Sequence, residues 1–292
     1  MTEQMATANG IEVCTEAFGE PEDIPVLLIM GTGASMLLWE DEFCQRLAGA
    51  GRHVIRFDNR DTGRTTHFDF ETVPYSLLDM AADAAGVLDA HGLASAHVVG
   101  ASTGGMIAQL LALDHRERVR TVTTIMSTPD PSSMTMIPDE SSTFEPLPGP
   151  TEAVIADIMA TMAIDFADRD SVIDARTAHF GLLAGSAYPF DEAGRHRLFE
   201  REFDRAIDFA HTNTQAIAVA MTPPWQSRLA SLEVPTLVVH GDEDPLLQYP
   251  HGQRIAELIP GASLMTMLGV GHEMPRGVWD DLIARLIEHS QE

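Results

Sequence analysis

VVGASTGGMIAQ, Val98 to Gln109, sets three glycines around a serine between a strand-like run and a helix-like run. Three glycine motifs compete for it. A dinucleotide fingerprint needs G-x-G-x-x-G, but the order Gly100-Ala101-Ser102-Thr103-Gly104-Gly105 lacks the second glycine. A nucleotide-binding loop needs a lysine after its last glycine, where this chain has Met106. The pattern G-x-S-x-G does match, as Gly100-Ala101-Ser102-Thr103-Gly104, and it has the strand-then-helix context that pattern requires. A serine there adopts a strained backbone that lifts its hydroxyl clear of the sheet, and the glycines make room for the bend. The competing structural reading is that Ser102 only caps the following helix.

The rest of the chain supplies the partners a serine nucleophile needs. A serine hydroxyl is weakly nucleophilic unless a base takes its proton and a third group orients the base. In this architecture the chain order is serine, acid, histidine. HGDEDP follows the strand-like TLVVH (Thr236 to His240) and offers Asp242 and Asp244. LGVGHEMP follows SLMTML (Ser263 to Leu268) and offers His272 in a glycine-flanked loop. Asp244 is the expected orienter, with Asp130 as its rival; Asp242 is expected to stabilise the turn, and Glu243 to be solvated. The expected oxyanion donors are the backbone N–H groups of Thr103 and of Thr32, in the M-G-T-G-A-S loop after IPVLLIM, where Gly31 allows close approach. The remaining histidines read as surface or packed imidazoles.

Outward from this site, strands and helices alternate. IEVCTEAFG alternates in polarity, while IPVLLIM (Ile24 to Met30) is a continuous apolar run, as in a strand buried on both faces. HVIRFD, AHVVG and Val119 to Met126 read as further strands. Ser76 to His91 carries an apolar stripe at helical spacing, Leu77, Met80, Ala81, Ala84, Val87 and Leu88. The alternation implies a parallel sheet covered on both faces, with its site at the carboxyl ends of the strands. It breaks at a Pro/Ser-rich loop beginning at Ser127, followed by mainly helical patterns from Thr151 to about Met221. The expected organisation is a core of residues 1–127 and 228–292 with a helical cap, 128–227, inserted into it. Apolar walls are expected from Met36, Trp39, Met126, Phe180, Tyr188 and Trp225, with Gly31 beside them.

Composition narrows the partners. With 44 acidic and 18 basic residues among 292, the net charge is −26, which argues against nucleic acid and anionic membranes. No apolar run is long enough to span a bilayer, and MTEQMATANG lacks the features of a signal peptide. Cys14 and Cys44 form no metal or disulfide pattern, so reduced thiols and a cytoplasmic location are expected. No metal and no cofactor is expected. The oligomeric state is left open, a homodimer included.

These motifs carry a family resemblance over nearly the whole chain. It resembles the α/β-hydrolases, and D-x-R-x-x-G-x-T at Asp58, Arg60, Gly63 and Thr65 is similar to a loop-bracing motif of that family. WEDEFCQRLAGAGRHVIRFDNRDTGRTTHF, VVGASTGGMIAQLLALDH, PLPGP, VPTLVVHGDEDPLLQYPHGQRIAELIP and LGVGHEMP look like the anthracycline (aclacinomycin-type) methylesterases. Thr103 departs from the methionine that family members often carry there, and the cap matches less well. The resemblance implies an α/β-hydrolase fold, a mostly parallel eight-stranded sheet with helices on both faces and a mainly helical cap. It implies a serine esterase acting on a small-molecule, largely apolar ester, including the methyl ester of an aromatic polyketide. A C–C bond hydrolase or lactonase, a cofactor-free perhydrolase and a non-catalytic ligand-binding homologue are the alternatives.

Overall fold

The computed structural model describes residues 2–69, 71–132, 142–209 and 214–291. One sheet of eight strands organises it: Gln4–Ala8 (β1), Ile11–Phe18 (β2), Ile24–Ile29 (β3), Arg52–Phe57 (β4), Ala96–Ala101 (β5), Val119–Ile125 (β6), Thr236–Gly241 (β7) and Ser263–Met267 (β8). Their spatial order is β1-β2-β4-β3-β5-β6-β7-β8. The β1–β2 and β2–β4 pairs are antiparallel and the others parallel. The short β1 carries no apolar run and leaves most of its residues exposed, which is why pattern reading misses it.

Side chains alternate across the sheet and feed two apolar layers. Leu27, Ile29, Ile55, Val98, Val122 and Val238 point into one. Val26, Leu28, Val54, Val99, Ile125 and Val239 point into the other. This two-sided burial explains why the central strands are continuous apolar runs. The first layer is covered by Leu77–Ala90 (α2) and Thr103–Asp114 (α3), whose buried residues join it. Ser76 and Asp79 form a reciprocal capping box that starts α2 where the apolar stripe begins. The second layer is covered by Asp41–Ala48 (α1) and Trp279–His289, the last helix.

Between β6 and β7 the chain inserts the helices Glu152–Thr161 (α4), Arg169–Leu183 (α5), Glu192–Arg205 (α6) and Thr214–Met221 (α7). Pro250–Leu258 (α8) joins β7 to β8, and Trp279–His289 is α9. Residues 133–141 of the Pro/Ser-rich stretch and 210–213, with His211, lie outside the described residues. Cys14 and Cys44 are free and buried, and burial pushes both thiols up to about 12. Among the described residues, no helix is long and apolar enough to cross a membrane.

The D-x-R-x-x-G-x-T residues brace loops. The buried Asp58 carboxylate accepts from the N–H groups of Met36 (2.9 Å) and Arg64 (3.0 Å). Arg60 pairs with Asp83 through two 2.7 Å bonds, and Thr65 Oγ1 donates to the Asp58 carbonyl at 2.7 Å.

Candidate active site

Ser102 sits between β5 and α3 with φ 54° and ψ −122°, a left-handed φ that few non-glycine residues adopt. Its N–H donates to the Ile125 carbonyl at 2.8 Å, which ties the turn to β6. The glycines around it are a steric necessity. A Cβ on Gly100 would lie 2.1 Å from the Gly104 carbonyl oxygen, and one on Gly104 would lie 2.1 Å from that of Ile29. Both obstacles are backbone, so Gly104→Ala is expected to cost at least about 3 kcal/mol of stability. Urea unfolding measures it, and a loss under about 1 kcal/mol would show that the turn can relax.

The carboxyl ends of β3, β5, β7 and β8 bring the other groups to the same rim. His272 Nε2 lies 3.1 Å from Ser102 Oγ, and His272 Nδ1 lies 2.6 Å from Asp244 Oδ2. Asp244 Oδ1 accepts from the N–H groups of Leu246 (2.9 Å) and Leu247 (2.8 Å). Burial opposes ionisation of Asp244, but His272 and His240 outweigh it and hold the carboxyl well below the usual carboxylate range. An ionised Asp244 accepts a hydrogen bond from Nδ1–H, so Nε2 carries a lone pair toward the serine hydroxyl. Chemically, this chain of three can draw the proton from Ser102 as its oxygen attacks an electrophile.

The loop after β3 closes on the same point. A Cβ on Gly31 would lie 2.9 Å from Ser102 Cβ and 3.4 Å from Ser102 Oγ. Thr32 Oγ1 and Thr103 Oγ1 are 2.6 Å apart, joined by one hydrogen bond. Thr103 is the first residue of α3, where a helix leaves its N–H groups without intrahelical acceptors.

In front of Ser102 lies a cavity of about 630 Å³. Core residues Trp39, Phe43 and Met126 line one side, and Phe166, Phe180 and Phe209 from the insertion line the other. Met126 has φ 47°, a strained value for a side chain of its size, and its N–H donates to the Val239 carbonyl at 2.8 Å. Ile158 on α4 and Met162 just after it line the cavity while remaining 37% and 72% exposed, so they form its rim.

A family description, the alpha/beta hydrolase fold, matches residues 24–275. The rhodomycin D methylesterases of Streptomyces sp. (strain C5) and Streptomyces peucetius are each 35% identical over 100% of this chain and 99% of theirs. The chain belongs to the alpha/beta hydrolase family. An esterase structure from Exiguobacterium antarcticum matches the fold of this hydrolase with a TM-score of 0.77 and 20% identity, covering 100% of both chains.

The hydrolase departs from the sequence reading at three cavity walls. Met36 is wholly buried in the short helical turn after the β3 loop, where Asp58 holds its N–H, and it does not line the cavity. Trp225 belongs to the apolar layer on the other face of the sheet and donates its indole N–H to Gln109 Oε1 at 3.0 Å. Tyr188 lies against Gly277, where a Cβ would come within 2.2 Å of its ring, and is outside the cavity lining. Gly31, Trp39, Met126 and Phe180 do line it. Asp130 accepts from Ser132 N–H at 2.9 Å and caps its own loop, while Asp242 accepts from Gly269 N–H at 2.6 Å. Glu243 is exposed yet binds Ser186 through its N–H and hydroxyl, each at 2.7 Å, instead of being merely solvated.

Pattern reading missed several polar groups of the hydrolase. His240, buried beneath the site, donates from Nε2 to the Leu247 carbonyl at 2.7 Å and approaches Asp244 Oδ2 at 3.5 Å. His179 lines the cavity with Nδ1 2.5 Å from Asp157 Oδ2. Burial pushes its pKa down despite that carboxylate. Glu273 and Arg195 also face the cavity, 3.4 Å apart, and burial raises the Glu273 carboxyl. Only the position of His240, four residues before Asp244, carried any signal in sequence; His179 and Arg195 lie in helices whose partners are distant in the chain.

Proposed function

We propose that this hydrolase is a serine esterase that cleaves the methyl ester of a bulky, polycyclic aromatic substrate through an acyl-enzyme. The observation that carries the reading is the hydrogen-bonded chain from Ser102 Oγ through His272 to Asp244. The methylesterase relatives support the substrate class. The apolar cavity, with Trp39, Phe180 and Phe209 in its walls, supports a flat hydrophobic acyl group.

In this reading Ser102 Oγ attacks the ester carbonyl carbon while His272 Nε2 takes its proton. The carbonyl π electrons move to oxygen, and the N–H groups of Thr32 and Thr103 receive the oxyanion. The intermediate collapses, the C–O bond to the alcohol breaks, and His272 returns the proton to release methanol. Water then gives a proton to His272 and attacks the acyl-enzyme, freeing the acid and restoring the Ser102 hydroxyl. Residues 128–227 act as the cap that shelters this exchange from bulk water, over a core of 1–127 and 228–292. A cytoplasmic location remains part of the reading, and size-exclusion chromatography decides between monomer and homodimer.

The test is an ester panel with methanol release as one readout. Wild type is expected to prefer the methyl ester of a fused-ring aromatic carboxylic acid over p-nitrophenyl acetate in KM by about tenfold or more, since each buried ring adds apolar contact. Turnover of p-nitrophenyl acetate with no methanol from any aromatic methyl ester would remove the proposed substrate class and leave a general esterase. Ser102 labelling by a fluorophosphonate without ester turnover would point instead to C–C cleavage or perhydrolysis.

A further inference from the structure

The loop that offers Thr32 reads M-G-T-G-A-S, and glycines on both sides of a functional N–H leave it with little intrinsic stiffness. Gly33 itself has φ 65°, in the left-handed region. Yet the loop's backbone is held at successive points, and most of the holders come from the insertion. Gly33 N–H donates to Gln215 Oε1 on α7 at 2.8 Å. The Gly33 carbonyl accepts from Arg176 Nη1 on α5 at 3.0 Å. Ser35 N–H donates to Glu202 Oε1 on α6 at 2.6 Å, and Glu202 Oε2 pairs with Arg176 Nη2 at 2.7 Å. From the core, Asn59 Nδ2 donates to the Met30 carbonyl at 2.8 Å and Asp58 holds Met36 N–H at 2.9 Å. Gln215 is anchored in turn by donating from Nε2 to the Arg60 carbonyl at 2.6 Å.

We infer that the insertion sets the oxyanion hole: Gln215, Glu202 and Arg176 are positioning residues that fix the Thr32 N–H against Ser102, so catalytic competence depends on α5, α6 and α7 being seated. This rests on the serine-esterase reading above. Three helices converge on one peptide neighbourhood, and Gln215 and Glu202 are 0% and 2% exposed. Neither lines the cavity, so neither is placed to touch substrate; Arg176 does line it, and an effect passing through its guanidinium to bound substrate would show in KM, whereas one passing through the loop shows in kcat. A buried carboxylate and a buried amide are costly to keep in an interior unless fully partnered, and here loop N–H groups and Arg176 are their partners. The geometry matters because an oxyanion donor works only within about 2.7–3.1 Å of the developing charge.

The experiment compares wild type, Gln215→Leu and Glu202→Gln. It reads kcat and KM for p-nitrophenyl acetate, Tm, and inhibition by an alkyl trifluoromethyl ketone whose adduct with Ser102 places an oxyanion in the hole. The parent methyl ketone serves as a ground-state control. We expect kcat to fall by about 10- to 100-fold, and trifluoromethyl ketone affinity by the same factor, because a donor displaced by about 1 Å is largely lost. KM and methyl ketone affinity are expected to stay within about twofold, as for any interaction made only in the transition state. A folded variant that keeps wild-type kcat and inhibitor affinity overturns the inference, as does a loss confined to KM. Should Gln215→Leu not fold, Glu202→Gln keeps size and shape, and the same two results would overturn the inference in that variant. If wild type itself shows no Ser102-dependent turnover, the esterase reading fails and takes this inference with it, a result visible without any insertion variant.

Discussion

Ser102→Ala is expected to lower kcat/KM for every ester substrate by on the order of 10⁶, the loss found when a serine nucleophile working with a histidine is removed. The remaining rate, roughly 10³–10⁴ above water, comes from binding and the oxyanion donors, which the substitution leaves in place. The variant is expected to fold. Serine and alanine suffer the same strain at φ 54°, and Ser102 Oγ has one described partner, His272 Nε2 at 3.1 Å. Ser102→Gly should be equally inactive and more stable, because glycine adopts a positive φ without steric cost and about 1 kcal/mol of strain is relieved. Steady-state kinetics and thermal melts on the three proteins check both statements. If Ser102→Ala keeps even a tenth of wild-type activity, Ser102 is not the nucleophile.

The second large effect is expected from Asp244→Asn, which should lower kcat by about 10⁴ with little change in KM. The structure dictates how an asparagine would sit. Two N–H groups, from Leu246 and Leu247, point at Oδ1, so the amide oxygen must take that place. The amide nitrogen then replaces Oδ2 and faces His272 Nδ1, which lies 2.6 Å away in wild type. A donor facing Nδ1 requires that nitrogen to be unprotonated, which puts the ring proton on Nε2, toward Ser102. The imidazole can then no longer accept the serine proton. Geometry is retained and the tautomer is wrong.

Stability should follow pH in a defined way for the same pair. The folded pKa of Asp244 lies below the ordinary value near 3.9, so its ionised form stabilises the fold fully above about pH 4–5. That contribution fades as pH falls through the folded value. The stability gap between wild type and Asp244→Asn is therefore expected to shrink as pH falls below about 4. Urea titrations from about pH 5 to 2 measure it; a gap that does not shrink below about pH 4 would mean that the Asp244 carboxyl is not held below its ordinary range.

What could be read from the sequence has a common physical basis: it is local. The G-x-S-x-G turn works through backbone crowding within a few residues, so Gly100, Ser102 and Gly104 announce it directly. The buried strands announce themselves because two-sided burial demands continuous apolar runs, and α2 because its stripe and its Ser76 cap lie in one segment. Asp244 and His272 were legible because parallel strands deliver their carboxyl ends to one rim, which turns chain order into spatial neighbourhood.

Long-range contact was not legible, and it shapes the cavity. Whether an aromatic residue faces substrate depends on which layer its element joins: Trp39 and Trp225 are both buried, yet only Trp39 lines the cavity. The same holds for His179, which finds Asp157 on the neighbouring helix, and for Gln215, which reaches Gly33 across 182 positions of sequence. The sequence by itself thus determined the central strands, the Ser102 turn and the meeting of Ser102, Asp244 and His272 on one rim, because each depends on short-range sterics or on the fixed chirality of parallel crossovers. The cavity walls and the clamp on the Thr32 loop were decided only by the tertiary structure, because they depend on how the insertion packs against the core, and no local pattern encodes that packing.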